Sequence, residues 1–122
     1  MTDARSHREL LVWQKAMDLA EQIYLIANLI PHSEQYRITS QLIRSAISVP
    51  ANIAEGNARG SRKDYANFLS IARGSAVEVE TLLLLAVRVN LVKQEEANIG
   101  LQLAGELSRM LNVMRSRLLE EK

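Results

Sequence analysis

Arg44-Ser-Ala-Ile-Ser-Val-Pro-Ala-Asn-Ile-Ala-Glu-Gly56, followed downstream by Ile71-Ala-Arg-Gly-Ser-Ala-Val-Glu-Val-Glu80, decides how this chain reads. Both stretches are helical by the spacing of their apolar residues. Both also carry residues that a helix interior does not require: Pro50, Asn52, Glu55, Gly56, Gly74 and Glu78. Departures from local rules inside a regular element mark a packing contact or a site.

The first stretch sits in a helix predicted from about Ser33 to Asn57, with Ser33 as N-cap and Ile38, Leu42, Ile43, Ala46, Ile47, Val49, Ile53 and Ala54 as its apolar face. Pro50 removes a backbone donor and crowds the Ala46 carbonyl. Because the periodicity resumes beyond it, a kink is expected there rather than an end. Gly56 and Gly60 bracket the exit. The second stretch belongs to a helix opened by Ser61-Arg-Lys-Asp64 and running to about Asn90 along Tyr65, Leu69, Ala72, Ala76, Val79, Leu83 and Ala86.

Upstream, a helix from about Glu9 to Ile30 carries two stripes. One is Leu10, Trp13, Met17, Ala20, Tyr24 and Ala27; the other is Val12, Ala16, Leu19, Ile23, Ile26 and Ile30. One stripe suffices for a neighbour within a bundle, so two imply contact with several helices or with another subunit. Downstream, Ile99, Leu103, Leu107, Met110, Met114 and Leu118 mark a helix over about Glu95 to Glu120. Short connections make neighbours antiparallel. The expectation is an all-α, up-down-up-down four-helix bundle over residues 9–122, preceded by a flexible N-terminus over residues 1–8.

Composition bounds what such a bundle can do. With 122 residues the chain is one domain with one real core. Without cysteine it has no disulfide framework and no thiolate metal site. The greasiest stretch, Leu82 to Val92, contains Arg88 and is too short to span a bilayer. The polar start lacks a signal-peptide core, and a cytoplasmic location is expected. A net charge of +1 supplies no global field for nucleic acid.

Candidate sites follow from register. If the second and third helices turn near Arg59-Gly60, Arg44 lies level with Ser75 and Glu78. The other turns bring Glu21 to Arg44 and Arg109 to Glu78. A partly buried polar network of Glu21, Arg44, Glu78 and Arg109 is therefore expected, specifying register or an interface. Gly74 and Ser75 read as small residues that let two backbones approach, rather than as a ligand pocket. Asn52 is placed to serve the carbonyl freed by the Pro50 kink, with Glu55 beside it. The basic turn Arg59-Gly-Ser-Arg-Lys63, at a helix start, is the nucleic-acid candidate within one chain: Arg59, Arg62 and Lys63 would hold phosphates, with Arg73 as helper. No catalytic or metal constellation emerges. His7 and His32 are isolated, Glu78 and Glu80 point in different directions, and no cofactor is expected.

These residues carry a family resemblance. Leu11-Val-Trp-Gln-Lys-Ala16, Gln41-Leu-Ile-Arg-Ser-Ala46, Ser48-Val-Pro-Ala-Asn-Ile-Ala-Glu-Gly56, Arg59 with Ser61, Phe68-Leu-Ser-Ile-Ala-Arg-Gly-Ser75 and Glu78-Val-Glu80 resemble the four-helix bundle proteins encoded by intervening sequences in bacterial 23S ribosomal RNA genes. Accessory variability proteins of diversity-generating retroelements are related to these. The resemblance covers about Glu9 to Val92 closely and the last helix loosely. It implies a homopentamer, no established catalytic activity and, for the retroelement relatives, binding to a reverse transcriptase and to nucleic acid through basic surfaces.

Two functions follow as expectations. The first is a non-enzymatic oligomer that binds structured RNA or a nucleic acid–protein complex, RNA and DNA both being open as partners. The second is a protein scaffold whose partner is another protein such as a reverse transcriptase. A small-ligand or enzymatic site around Arg44, Asn52, Glu55 and Glu78 stands third.

Overall fold

In the computed structural model, which describes residues 6–120, four helices carry the chain: α1 (Leu11–Ala27), α2 (Ser40–Asn57), α3 (Arg62–Arg88) and α4 (Gln94–Glu120). No strand occurs among the described residues. Contacts run from α1 to α2, α2 to α3, α3 to α4 and α4 back to α1, so each helix packs against two others around one core. Leu19, Ile23, Leu42, Ile53, Leu69, Leu83, Leu107 and Leu111 are fully buried there.

The two stripes of α1 part company. Val12, Ala16, Leu19, Ile23, Ile26 and Ile30 are all buried, whereas Met17 and Tyr24 of the other stripe are 45% and 51% exposed. A single chain thus buries one stripe fully and packs Leu10, Trp13 and Ala20 of the other against the core, leaving Met17 and Tyr24 as exposed apolar surface. The helix is shorter than its pattern. After Ala27 the Leu29 and Ile30 amides donate to the Ile26 and Ala27 carbonyls, a tighter turn that still tucks Ile30 into the core. Most of the N-terminal segment expected to be flexible, residues 1–5, lies outside the described residues. Its end, Ser6–Arg8, enters a short 3₁₀ turn over His7–Glu9 capped by the Ser6 hydroxyl, with the His7 ring edge-on to Trp13.

The start of α2 differs from expectation by a full two turns. Ser33 caps nothing: His32–Glu34 is a 3₁₀ turn, Gln35–Thr39 is a wide π-type turn, and Arg37 leaves the helical region at φ −116°, ψ −114°. This segment offers one apolar anchor, Ile38, so no stripe holds it in helical register against the core. Past Thr39 the helix runs through Pro50 to Asn57.

Gly56 and Gly60 do bracket the exit of α2, which ends at Asn57, but Gly56 is also buried, facing Phe68 and Tyr65 of α3. Gly74 was expected at a close approach, but nothing lies within 4 Å of where its Cβ would be. No described glycine has positive φ. Among the described residues the one left-handed non-glycine is Asn90 (φ 65°), which terminates α3. There the Asn90 amide donates to the Val87 carbonyl and the Leu91 amide reaches back to Ala86 at 2.8 Å, the paired bonds of a Schellman motif. An L-residue bears a cost in this conformation that glycine does not. Asn90→Gly is therefore expected to hold or raise stability, and Asn90→Ala to lower it by about 1 kcal/mol. Urea unfolding of both variants reads the difference.

At the opposite ends, the Ser61 hydroxyl accepts from the Asp64 amide at 3.1 Å, the N-cap expected of α3. Glu96 accepts from the Lys93 amide at 2.8 Å to open α4. Across α1 and α4, Lys15 sits 3.1 Å from Glu106. Hydrogen bonds from Lys15 and then Gln102 hold the Glu106 carboxyl below its ordinary value.

Candidate polar groove between the second and third helices

Along α2, Gln41, Arg44, Ser45, Ser48 and Asn52 recur at three- and four-residue steps, which places them on one side of the helix. Their side faces α3, and with Ser75 and Glu78 the first four line an open groove of about 500 Å³. Its floor is a chain of polar contacts. Asn52 Nδ2 donates to the Ser48 carbonyl at 2.8 Å and to its hydroxyl at 2.9 Å. The Ser75 hydroxyl donates to Ser48 Oγ at 2.7 Å. One end is closed by Gln41, whose amide donates to Glu78 Oε2 at 2.8 Å. Ser45 is buried. Arg44 stands at the groove with one bond, Nη2 to Ser40 Oγ at 3.2 Å.

The expected network of Glu21, Arg44, Glu78 and Arg109 is not formed. Arg44 and Glu78 share the groove without pairing, and Glu21 and Arg109 are exposed elsewhere on α1 and α4. Register arithmetic correctly brought Arg44 level with Glu78. It could not show that Gln41, almost one turn earlier on the same side of α2, would take the carboxylate first. Asn52 serves a carbonyl as expected, but Ser48's rather than the Ala46 carbonyl that Pro50 deprives of its donor. Ser75 does mark a close approach, through its hydroxyl to Ser48.

The basic turn is largely committed within the chain. Arg59 pairs with Glu55 at 2.8 Å, and its guanidinium lies 4.9 Å from the Phe68 ring centroid. Arg62 donates from Nε to the Leu118 carbonyl at 3.2 Å and from Nη2 to that of Arg117 at 3.4 Å. Those carbonyls belong to the last turn of α4, where backbone acceptors are unpaired and the helix end is negative. Arg62 thus ties the start of α3 to the end of α4. Arg62→Ala is expected to lower stability by about 1 kcal/mol while leaving any binding of polyanions nearly unchanged; thermal unfolding beside a binding titration separates the two. Lys63 and Arg73 are exposed and make no hydrogen bond or ion pair with described residues.

Beside the groove, on the far side of Arg44, a second hollow of about 440 Å³ is lined by Tyr36, Thr39, Ser40 and Ile43. Tyr36 is 89% exposed, more than any other large hydrophobic side chain among the described residues, and Thr39 Oγ1 is buried without a partner. Sequence reading missed Tyr36, Gln41, Ser45 and Ser48. The signal for the last three was a polar run at helical spacing on an otherwise core-facing side. For Tyr36 there is none, since it lies in the π-type turn that replaces the expected first turns of α2. Among the described residues no group of three or more His, Cys, Asp or Glu side chains could hold a metal ion, and no helix is long and apolar enough to cross a membrane.

Comparison with known proteins adds the rest. The family model described as 23S rRNA-intervening sequence protein matches residues 8–113. A crystal structure of a protein of unknown function from the S23 ribosomal protein family of Bacteroides thetaiotaomicron superposes with a TM-score of 0.80. The two are 26% identical, over 86% of this chain and 98% of that one. No curated protein matches.

Proposed function

This chain belongs to the 23S rRNA-intervening sequence protein family, and from that premise we propose a non-enzymatic, cytoplasmic, oligomeric protein that contacts structured RNA, alone or with bound protein. The observation that carries the reading is a set of cations left uncommitted on exposed surface. Lys63 and Arg73 on α3 have no acidic partner, and Arg44 faces a groove with only a serine hydroxyl bonded. In a chain of net charge +1, contact with phosphates has to be local, and cations without internal partners supply it at the least cost.

The subunit is an antiparallel up-down-up-down bundle. Support comes from pairings whose numbers rise along one helix as they fall along the next: Gln41 to Glu78 and Ser48 to Ser75 between α2 and α3, Arg62 to Leu118 between α3 and α4. Self-association is supported by the exposed apolar residues of α1 (Leu11, Met17, Tyr24 and Leu25), more than a solitary helix face in water needs. A homopentamer is the assembly that the family resemblance implies, and light scattering tests it. Repetition of one weak phosphate contact around such a ring raises avidity.

The test is RNA binding by fluorescence anisotropy at about 50 mM salt, repeated as salt rises. Lys63→Ala with Arg73→Ala is expected to weaken binding and flatten the salt slope by about two. No RNA binding at about 50 mM salt defeats the reading. The alternative scaffold role, with a reverse transcriptase as partner, rests on the resemblance alone and would show as co-purification that survives nuclease.

A further inference from the structure

We propose that the α2–α3 groove and the hollow beside it together seat one nucleotide of single-stranded RNA and select it over DNA: phosphate on Arg44, ribose 2′-hydroxyl on Glu78 and Ser75, base on Tyr36. This rests on the RNA-binding reading above and specifies where and how that contact discriminates.

The unused hydrogen-bonding capacity of the groove states what it can accept. Arg44 has five N–H donors and spends one on Ser40. No carboxylate neutralises it, although Glu78 lines the same groove and Glu55 is taken by Arg59. A cation with spare forked donors suits a phosphate. Glu78 receives Gln41 on Oε2, which fixes the carboxylate and leaves Oε1 as an acceptor. Ser75 donates its only proton to Ser48, so its lone pairs are also left as acceptors. The groove therefore offers a cation beside fixed acceptors. Its complement is an anion beside a hydroxyl donor, which is what RNA presents along its length, each phosphate flanked by a 2′-hydroxyl.

DNA fits only half of this. Its phosphate can meet Arg44, but its sugar has no donor for Glu78, whose charge then repels the strand without compensation. The third element is Tyr36, an aromatic ring 89% exposed in a chain with few aromatics, lining the adjoining hollow with Arg44 as the residue common to both. An exposed ring next to a phosphate-binding cation is the stacking platform that single-stranded nucleic acid uses. The two open hollows share an edge at Arg44, which lines both.

The experiment uses the full chain and a fluorescein-labelled oligouridine against the oligodeoxyuridine of equal length, so that the 2′-hydroxyl is the sole difference. The wild type is expected to prefer the ribose strand about tenfold, the worth of a hydrogen bond to a charged acceptor. Glu78→Gln, which keeps shape and removes the charge, should bring the two strands close to parity by raising affinity for the deoxy strand. Tyr36→Ala and Arg44→Ala should each weaken the ribose strand about tenfold, only Arg44→Ala also flattening the salt slope by about one. Tyr36 and Arg44 are exposed, so neither change touches the core. Equal affinity of the wild type for both strands, or a ribose preference untouched by Glu78→Gln, overturns the proposal. RNA binding abolished by Lys63→Ala with Arg73→Ala but indifferent to Arg44→Ala and Tyr36→Ala overturns the groove while sparing the RNA-binding reading. Absence of RNA binding by the wild type ends both.

Discussion

Gly56→Ala should destabilise the protein by about 2 kcal/mol, although alanine is the better helix former by about 1 kcal/mol. A methyl group at Gly56 would stand 2.8 Å from Phe68 Cβ, 2.9 Å from Tyr65 Cδ1 and 3.3 Å from the Tyr65 carbonyl oxygen. The Phe68 Cβ and the Tyr65 carbonyl move only with the backbone of α3, so rotation of a side chain cannot relieve the clash. The two helices must separate. Separation would also loosen the Arg59–Phe68 contact and expose the Tyr65 ring, whose burial raises the phenol above its ordinary value of 10.0. Gly74→Ala is the matched control. It lies within α3 with open space around it and should gain about 0.5–1 kcal/mol from helix preference alone. Urea unfolding at one fixed protein concentration compares them, since association would otherwise shift the midpoints. Equal effects of the two substitutions would mean that α2 and α3 do not meet at Gly56.

The second large effect lies between α3 and α4. Leu83 is fully buried, and its truncation in Leu83→Ala should cost about 3 kcal/mol through lost transfer energy and the cavity left behind. Its Cδ1 would be 3.0 Å from a methyl group on Gly100, with Ile26 Cδ1 at 3.3 Å. Gly100→Ala alone should stay within about 1 kcal/mol of the wild type, since helix preference offsets the crowding of flexible side-chain ends. With Leu83 truncated the crowding is gone and the methyl group fills part of the cavity. Gly100→Ala should then restore about 1 kcal/mol, a non-additivity that only residues in contact produce. Strict additivity in the four-protein cycle would refute the packing of α3 on α4 at this level.

How much of this was legible differs by residue. Helices α3 and α4 were read nearly to their ends because a long apolar period and a Ser-x-x-Asp cap speak locally. The start of α2 was misread because Ser33 satisfies a local capping rule in a segment that has almost nothing apolar to hold a helix against the core. In sequence Gly56 marks a helix exit and Gly74 a close approach, yet the close contact lies at Gly56 and Gly74 is open. The candidate site was half legible: Arg44, Ser75 and Glu78 were placed at one level from register. Their partners were wrong because register fixes height along a helix and not which neighbour at that height reaches first. The basic turn looked available in sequence because Glu55, Phe68 and the last carbonyls of α4, which engage Arg59 and Arg62, are brought to it by the fold.

By itself the sequence determined the four helices, the core-facing stripes of α1 and α3 and the surplus apolar residues of α1, since periodic burial is written in the order of residues; on α4 it picked Ile99, which is exposed, where Ala97, Gly100 and Ala104 face the core. Only the tertiary structure decided which cations stay uncommitted, which glycine is a contact, and that Gln41 rather than Arg44 holds Glu78. Those outcomes depend on competition between side chains on different helices for the same few ångströms, and no single segment carries that information.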